Sequence, residues 1–194
     1  PAPVVDDTVF GQVMYKILYP LVEGLRKQGT VYKGVLYAGL MITSKGPSVL
    51  EFNVRLGDPE TQPLLMRLKT DIVPLLMEVA TGGGIKGMQL QWGGPSVCVV
   101  MASGGYPGEY PKGYPITGID QADAMPGVKV FHAGTTIRDG VLVTAGGRVL
   151  GVTALGDDMP ATIGKAYKAA ARILFQGAHY RKDIGGRALE RGRM

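Results

Sequence analysis

Glycine and proline divide this chain into short apolar segments. Its 194 residues include 30 glycines and 13 prolines, which are spread between apolar runs and not gathered in a low-complexity tract. Residues of these two types at such spacing are typical of tight turns. With 45% hydrophobic and 19% charged residues, the composition is that of a folded protein of one medium domain or two small ones. We therefore expect short helices and strands joined by many turns.

The charge pattern and the length of the apolar stretches decide whether a nucleic-acid or membrane partner is expected. The formal net charge is +5, and residues 180–194 supply +3 of it, with five cations against two carboxylates. A nucleic-acid site would need a basic stripe interleaved with aromatic residues, so this segment is interpreted as a solvated tail and no nucleic-acid partner is predicted. The single cysteine, Cys98, is predicted to be a buried strand residue. No apolar stretch approaches the roughly 20 residues that span a bilayer, so we expect no membrane partner and a cytoplasmic location.

The first 53 residues are predicted to form a helix followed by a hairpin. Apolar residues recur with a helical period over residues 9–25, and Pro20 predicts a kink or break near Tyr19. Two strand-like runs, residues 31–43 and 48–53, then surround a short turn and predict the hairpin.

Two more helices are expected before residue 93. Asp58 is a suitable N-cap, with Pro59 at the first helical position. A second helix is predicted to begin after Asp71 and to end at the three glycines 82–84. Its inward residues are predicted to be Ile72, Val73, Leu75, Leu76 and Val79.

Beyond Trp92 the pattern changes to short strands and turns. The predicted strands are residues 96–102, 128–132, 141–145 and 148–153. A helix opened by Asp158 and Pro160 is expected to run to Gly177. Its inner face is predicted to consist of Ile163, Ala166, Tyr167, Ala170, Ile173 and Leu174. These patterns predict an α+β fold in two domains, residues 1–93 and a small β-rich domain closed by a helix, residues 94–194.

Polar residues alternate along one segment of the hairpin. On a strand, Glu51, Asn53 and Arg55 would share a face, each about 7 Å from the next, while Phe52 and Val54 would point into a core. A carboxylate beside an amide oxygen suits Mg²⁺, which is usually held by one or two carboxylates together with phosphate oxygens. Arginine offers a forked cationic donor for a phosphoryl group. The alternative is a polar strand edge with a salt bridge between Glu51 and Arg55.

Several motifs carry a resemblance to one family. Residues 51–62 read EFNVRLGDPETQ, which resembles the signature of the glycinamide ribonucleotide synthetases (phosphoribosylamine–glycine ligases). Other segments are similar to this family in the same order along the chain: YKGVLYAGLM at 32–41, GGYPG at 104–108, FHAGT at 131–135, GGRVL at 146–150 and YRKDIG at 180–185.

The resemblance implies a fold, a reaction and a set of ligands. Residues 1–93 would be the carboxyl-terminal part of an ATP-grasp fold of antiparallel strands and helices. Members of this family join glycine to 5-phosphoribosylamine through glycyl phosphate, with ATP as co-substrate, in de novo purine biosynthesis. By this resemblance Glu51 and Asn53 are ligands of Mg²⁺ (or Mn²⁺), Leu50 packs against adenine, and Arg55 is catalytic and steadies the transferred phosphate. The strand run 31–43 lacks the Asp or Glu that many ATP-grasp relatives place there, so the number of metal ions stays open.

Two further sites have alternative interpretations. Gly146, Gly147 and Arg148 combine exposed backbone donors with a guanidinium, which favours an anion site; a hairpin turn with a surface arginine is the alternative. The resemblance raises Gly147 and Arg148 as ligands of the phosphoribosylamine phosphate. His132 follows a predicted strand, where a hydrogen-bonded structural role competes with a catalytic one.

The resemblance also implies a missing part. The family's amino-terminal domain and the first part of its ATP-grasp fold would lie upstream of Pro1, and they would hold ATP from the other side. We therefore expect the chain alone to be inactive. Another ligase or formyltransferase of the superfamily, and a non-enzymatic module or split subunit, are the competing hypotheses.

Overall fold

The computed structural model describes residues 5–191. The first four residues and the last three residues, which belong to the predicted tail, lie outside this range. The helices are α1 (Asp7–Val13), a π-helical segment (Met14–Leu18), α2 (Tyr19–Lys27), α3 (Thr61–Arg67), α4 (Ile72–Thr81), α5 (Ile119–Asp123), α6 (Met159–Ala170) and α7 (Gly186–Arg191). The strands are β1 (Tyr37–Thr43), β2 (Gly46–Asn53), β3 (Ser96–Ala102), β4 (Val128–His132), β5 (Thr135–Arg138), β6 (Val141–Thr144) and β7 (Arg148–Leu155).

The chain divides into two compact units, and the division is not sequential. The amino-terminal unit contains Pro1–Gly57 and Thr70–Leu90, and the carboxyl-terminal unit contains Asp58–Lys69 and Gln91–Met194. Helix α3 therefore packs with the second unit, against β3 and β7. The α+β class, with antiparallel strands and helices, is confirmed.

The first helix of the amino-terminal unit continues through its proline. Asp6 caps α1 by accepting a hydrogen bond from the Val9 N–H at 2.8 Å. The Tyr19 N–H donates to the Met14 carbonyl, five residues back, which is the π-helical pattern. Pro20 comes next, in the first turn of α2, where a missing N–H costs little. The helix does not break, and a π-helical segment occupies the place where a kink or break was predicted.

The hairpin is shorter than predicted at its first strand. Strand β1 begins at Tyr37 and not at residue 31, and Gly34 has a φ of 143° that interrupts the extended run. In α4, Asp71 caps the helix and left-handed Gly82 ends it, as the sequence predicted. The predicted inward face of α4 is wrong in part, because Val73 is 59% and Leu76 47% exposed.

The core of the carboxyl-terminal unit lies on an antiparallel sheet in the order β3-β7-β4. Val99, Leu150 and Val152 are fully buried in it. Helix α6 packs on the face of the sheet to which these three side chains point. The other face of the sheet carries α3, whose Gln62 Nε2 lies 3.6 Å from the position that a Gly151 Cβ would take. Strand alternation produces both contacts, because successive residues of β7 point to opposite faces.

Several boundaries in this unit differ from the prediction. Asp58 does not cap α3; the N-cap is Glu60, two residues later. Helix α6 is capped by Asp158 as predicted but ends at Ala170, and Leu174 is 65% exposed. Strand β5 was not predicted. Periodicity alone cannot separate a helix from the irregular segment that follows it with similar spacing.

The basic segment after residue 180 is not simply a solvated tail. Tyr180, Ile184 and Leu189 are partly buried against the core of the unit. The Tyr167 hydroxyl donates to the Arg181 carbonyl and accepts from the Ile184 N–H, at 2.8 and 2.9 Å. The described part of this segment is therefore fixed to the domain. No described helix has the length and apolar character needed to cross a membrane.

Asp123 at the end of α5 offers a test of this fold. Burial alone would raise its pKa, but hydrogen bonds from the Lys129 ammonium and the Val130 N–H lower the pKa overall. A carboxyl with a lowered folded-state pKa stabilises the fold above its unfolded pKa, and this contribution is lost as pH falls through the folded value. We expect Asp123→Asn to lower the free energy of unfolding at pH 7 by about 1 kcal/mol, and the difference to shrink below about pH 4.

Urea denaturation at pH 7 and pH 3 measures this effect. Asp120→Asn, on the exposed side of the same short helix, is the matched control. An Asp123→Asn deficit that is equal at both pH values would contradict the pKa argument.

Candidate functional site

A β-bulge decides which face of the hairpin carries the polar residues. Leu40 pairs with Val49, but Gly39 pairs with Glu51, so Leu50 is an extra residue in β2. Cross-strand partners share a face and successive residues alternate. Glu51 therefore lies on the face opposite to Val49, although a regular strand would place both on the same face.

Glu51 and Asn53 lie side by side on that face. The Asn53 Nδ2 donates a hydrogen bond to the Glu51 Oε1 at 3.0 Å. Glu51 is exposed and Asn53 half-buried, so neither side chain points into an apolar interior. A carboxylate and a side-chain amide on neighbouring positions of one face can supply oxygen ligands to a hard divalent cation that completes its shell with other oxygens. Among residues 5–191 no group of three or more His, Cys, Asp or Glu residues could hold a metal alone.

The neighbours of this pair differ from the prediction. Strand β2 ends at Asn53, so the alternation does not extend to Arg55. The Arg55 guanidinium donates to the Leu56 carbonyl at 3.0 Å. Phe52 and Val54 were expected in a core, but they are 41% and 71% exposed. Leu50, at the bulge, is 65% exposed and free to pack against a ligand.

Arg148, at the start of β7, faces the loop that precedes α3. Its Nη2 lies 3.5 Å from the Asp58 Oδ2, and its Nη1 donates to the Asp58 carbonyl at 3.3 Å. The two residues are 90 positions apart, so the sequence did not reveal the pairing. Asp58 thus acts as a counter-ion of Arg148 and not as the predicted N-cap. The 43% exposed Arg148 side chain remains accessible to an anion.

The residues before Arg148 are held by the surrounding backbone. The Gly146 N–H donates to the Gly134 carbonyl at 3.1 Å, and the Ser103 N–H donates to the Gly147 carbonyl at 2.8 Å. A Cβ on Gly147 would lie 2.2 Å from the Tyr106 Cδ2. The segment connects β6 and β7, which belong to different sheets, so the hairpin interpretation is wrong. The Gly146 N–H is already used within the fold, and Gly147 is a packing position.

Arg148 lines a pocket within the carboxyl-terminal unit. The pocket has a volume of about 440 Å³, and its walls include Cys98, Tyr106 and His179. Cys98 is buried on β3 as predicted, and burial raises the pKa of its thiol, which argues against a reactive role. Arg181 also lines the pocket, but its guanidinium is bound by both carboxylate oxygens of Asp183.

His132 lies apart from these groups. It ends β4, is exposed, and its Nδ1 lies 3.0 Å from the Thr135 Oγ1. The hydrogen bond that the structural interpretation expected is therefore present.

Comparison with known proteins identifies the family. Residues 1–61 match the family model described as phosphoribosylglycinamide synthetase, ATP-grasp (A) domain. Residues 96–187 match the model described as phosphoribosylglycinamide synthetase, C domain. This chain belongs to the phosphoribosylglycinamide synthetase family. Glu51, Asn53 and Arg55 fall within the ATP-grasp match, and Arg148 within the C-domain match.

Relatives in this synthetase family align along nearly the whole chain. It is 55% identical to the phosphoribosylamine–glycine ligase of Rhodopirellula baltica over 97% of the chain and 44% of the relative's length. It is 50% identical to the ligase of Pseudomonas aeruginosa over 100% of the chain and 45% of that protein. A crystal structure of the Thermotoga maritima ligase superposes with a TM-score of 0.71 at 38% identity, covering 84% of this chain and 39% of the other. The chain thus spans less than half the length of these relatives.

Proposed function

We propose that this chain is the carboxyl-terminal part of an ATP-dependent ligase. The ligase joins glycine to 5-phosphoribosylamine and gives glycinamide ribonucleotide, ADP and phosphate through glycyl phosphate. The observation that carries the proposal is the adjacency of Glu51 and Asn53 on one strand face, where the Asn53 Nδ2 lies 3.0 Å from the Glu51 Oε1. Relatives named phosphoribosylamine–glycine ligase align along the same chain.

The proposed roles on the hairpin follow from its chemistry. Glu51 and the side-chain oxygen of Asn53 would hold Mg²⁺ or Mn²⁺. For this the Asn53 amide would rotate out of its hydrogen bond to Glu51, so that its oxygen faces the cation. When bound, the cation neutralises charge on the triphosphate. Leu50, displaced outward by the bulge, supplies an apolar contact for the adenine. Arg55 carries a permanent charge just beyond the strand and would steady the transferred phosphoryl group and the acyl phosphate as the catalytic arginine.

A second set of roles concerns the amine substrate. We assign Arg148 to the phosphate of 5-phosphoribosylamine, since its guanidinium is partly exposed and fixed by Asp58. Gly147 would act by allowing the Tyr106 ring to lie close to the backbone before Arg148. An arginine held by a carboxylate on one side keeps further N–H donors for a phosphate.

A second polypeptide segment is part of the proposal. Large apolar side chains of the amino-terminal unit are exposed, including Tyr15 at 75%, Val54 at 71% and Val73 at 59%. Exposed apolar surface of this extent is typical of a region that another part of the protein covers. We infer that this part is the ligase's amino-terminal portion, and that the protein acts in the cytoplasm.

The division of the chain into two domains at residue 93 stays a prediction.

The test uses this chain alone and in a chimaera. The chimaeric ligase consists of the Rhodopirellula baltica enzyme with its aligned carboxyl-terminal 44% replaced by this chain. We expect the chain alone to release no ADP, because the nucleotide would be held from one side, and the chimaeric ligase to release ADP only with both glycine and 5-phosphoribosylamine. ADP release by the chain alone would contradict the proposal that the nucleotide site is shared with the amino-terminal portion of the ligase. A folded chimaeric ligase that uses another amine, such as ammonia or a different ribotide, would favour the competing ligase hypothesis.

A further inference from the structure

Gly39 faces the proposed metal ligand across the hairpin. The register pairs Gly39 with Glu51. A Cβ built on Gly39 would lie 2.9 Å from the Glu51 Cγ and 3.6 Å from its Oε1. Real Cβ atoms do not approach a carbon so closely. The Glu51 side chain therefore lies over the space that a side chain at position 39 would fill.

We propose that Gly39 is a positioning residue for Glu51. This inference rests on the proposed function of Glu51 as a metal ligand. The absent side chain lets Glu51 fold down on β1, where its carboxylate meets the Asn53 amide at 3.0 Å. Glycine in a strand interior otherwise weakens the strand, and its presence there commonly marks a close approach.

The bulge and the glycine act together. The bulge moves Glu51 to the face that Gly39 and Tyr37 share, and it gives Glu51 a glycine as its neighbour. A methyl group at position 39 would displace the Glu51 Cγ. Only the Cα–Cβ bond of Glu51 can rotate to move this carbon, so the whole side chain has to change its direction. The carboxylate then moves away from the Asn53 side chain, and the two residues are no longer placed to share one cation. A supporting residue of this kind affects metal affinity without touching the metal.

A thermal double-mutant cycle on this chain tests the steric claim without any metal. Four proteins are compared: wild type, Gly39→Ala, Glu51→Ala, and the double variant. Gly39→Ala is expected to lower the melting temperature by about 5 °C in the wild-type background. With Glu51→Ala the Cγ is gone, so the same change should be neutral or slightly stabilising. Equal losses in both backgrounds would overturn the inference. Should Gly39→Ala alone fail to fold, a folded double variant supports it and an unfolded one overturns it.

Mn²⁺ binding to the chimaeric ligase tests the consequence for the site. Binding is titrated by electron paramagnetic resonance in the presence of ATP. Gly39→Ala is expected to weaken Mn²⁺ binding by about tenfold, whereas Gly24→Ala should leave it unchanged, since a Cβ there meets nothing within 4 Å. The KM for 5-phosphoribosylamine should not change in either variant.

A third variant, Glu51→Gln, separates failure of the inference from failure of the proposed function. If Glu51→Gln weakens Mn²⁺ binding while Gly39→Ala does not, Gly39 is no positioning residue and the proposed metal site stands. If Glu51→Gln leaves Mn²⁺ binding unchanged, the proposed metal site itself is wrong.

Discussion

Replacing Glu51 by glutamine is expected to lower the turnover of the chimaeric ligase by about 10²- to 10³-fold, the usual cost of removing one group that stabilises transferred charge. Glutamine keeps the length of the side chain and an oxygen that can still accept the 3.0 Å hydrogen bond from Asn53. The change therefore removes the charge and preserves the local shape. Without this carboxylate, the hairpin offers the divalent cation only neutral side-chain oxygens, and the concentration of Mg²⁺ that gives half-maximal turnover should rise.

Glu23→Gln is the matched control for this experiment. Glu23 lies in the same unit, on the surface of α2, and pairs with Arg26 at 2.9 Å. Its hydrogen bond with Arg26 lowers its pKa, but an exposed ion pair of this kind contributes little to stability. We expect turnover and Mg²⁺ dependence of Glu23→Gln to equal those of the parent. A Glu51→Gln ligase with unchanged kcat and Mg²⁺ dependence would remove Glu51 from the site.

The second large effect is expected at Gly147, and it concerns stability. Alanine at this position places a methyl carbon 2.2 Å from the Tyr106 Cδ2 and 3.0 Å from the Tyr110 Cε1. The centroids of the two rings lie 6.1 Å apart in an edge-to-face arrangement. Overpacking of a tightly packed site costs about 1–3 kcal/mol and occasionally more. We expect Gly147→Ala to reach at least the upper end of this range, measured by urea denaturation of the chain.

Gly164→Ala is the control for Gly147→Ala. Gly164 lies in α6, and a Cβ there meets nothing within 4 Å. Because alanine favours a helix interior by up to about 1 kcal/mol over glycine, this variant should be unchanged or more stable. A Gly147→Ala protein of normal stability, but with a raised KM for 5-phosphoribosylamine in the chimaeric ligase, would instead support Gly147 as a direct ligand.

Much of the local structure could be predicted because its causes are local. Helices were predicted to begin at Asp71 and Asp158, and each of these residues accepts a hydrogen bond from a backbone N–H two or three residues later. Apolar runs predicted β3, β4 and β7, whose residues form the buried sheet. The candidate site was partly predictable for the same reason: two positions on one strand place Glu51 beside Asn53 whatever the rest of the chain does.

The errors occurred where distant residues decide the outcome. Asp58 has the residue type of an N-cap, but its carboxylate pairs with Arg148, 90 positions away. Residues 58–69 follow the hairpin in sequence and still pack with the carboxyl-terminal unit. Gly147 has the residue type of an anion-binding turn, but two tyrosine rings occupy the space beside it. A sequence pattern contains no information about which remote side chain fills a given space.

The sequence by itself therefore determined the family, the types of the main elements and the adjacency of Glu51 and Asn53, because motifs, caps and strand alternation act within a few residues. The tertiary structure alone decided that a bulge at Leu50 turns this pair to the face of Gly39, and that Asp58 accompanies Arg148. Both results depend on register and on long-range packing, in which a single inserted residue or a remote contact changes the direction of a side chain while the local pattern stays the same.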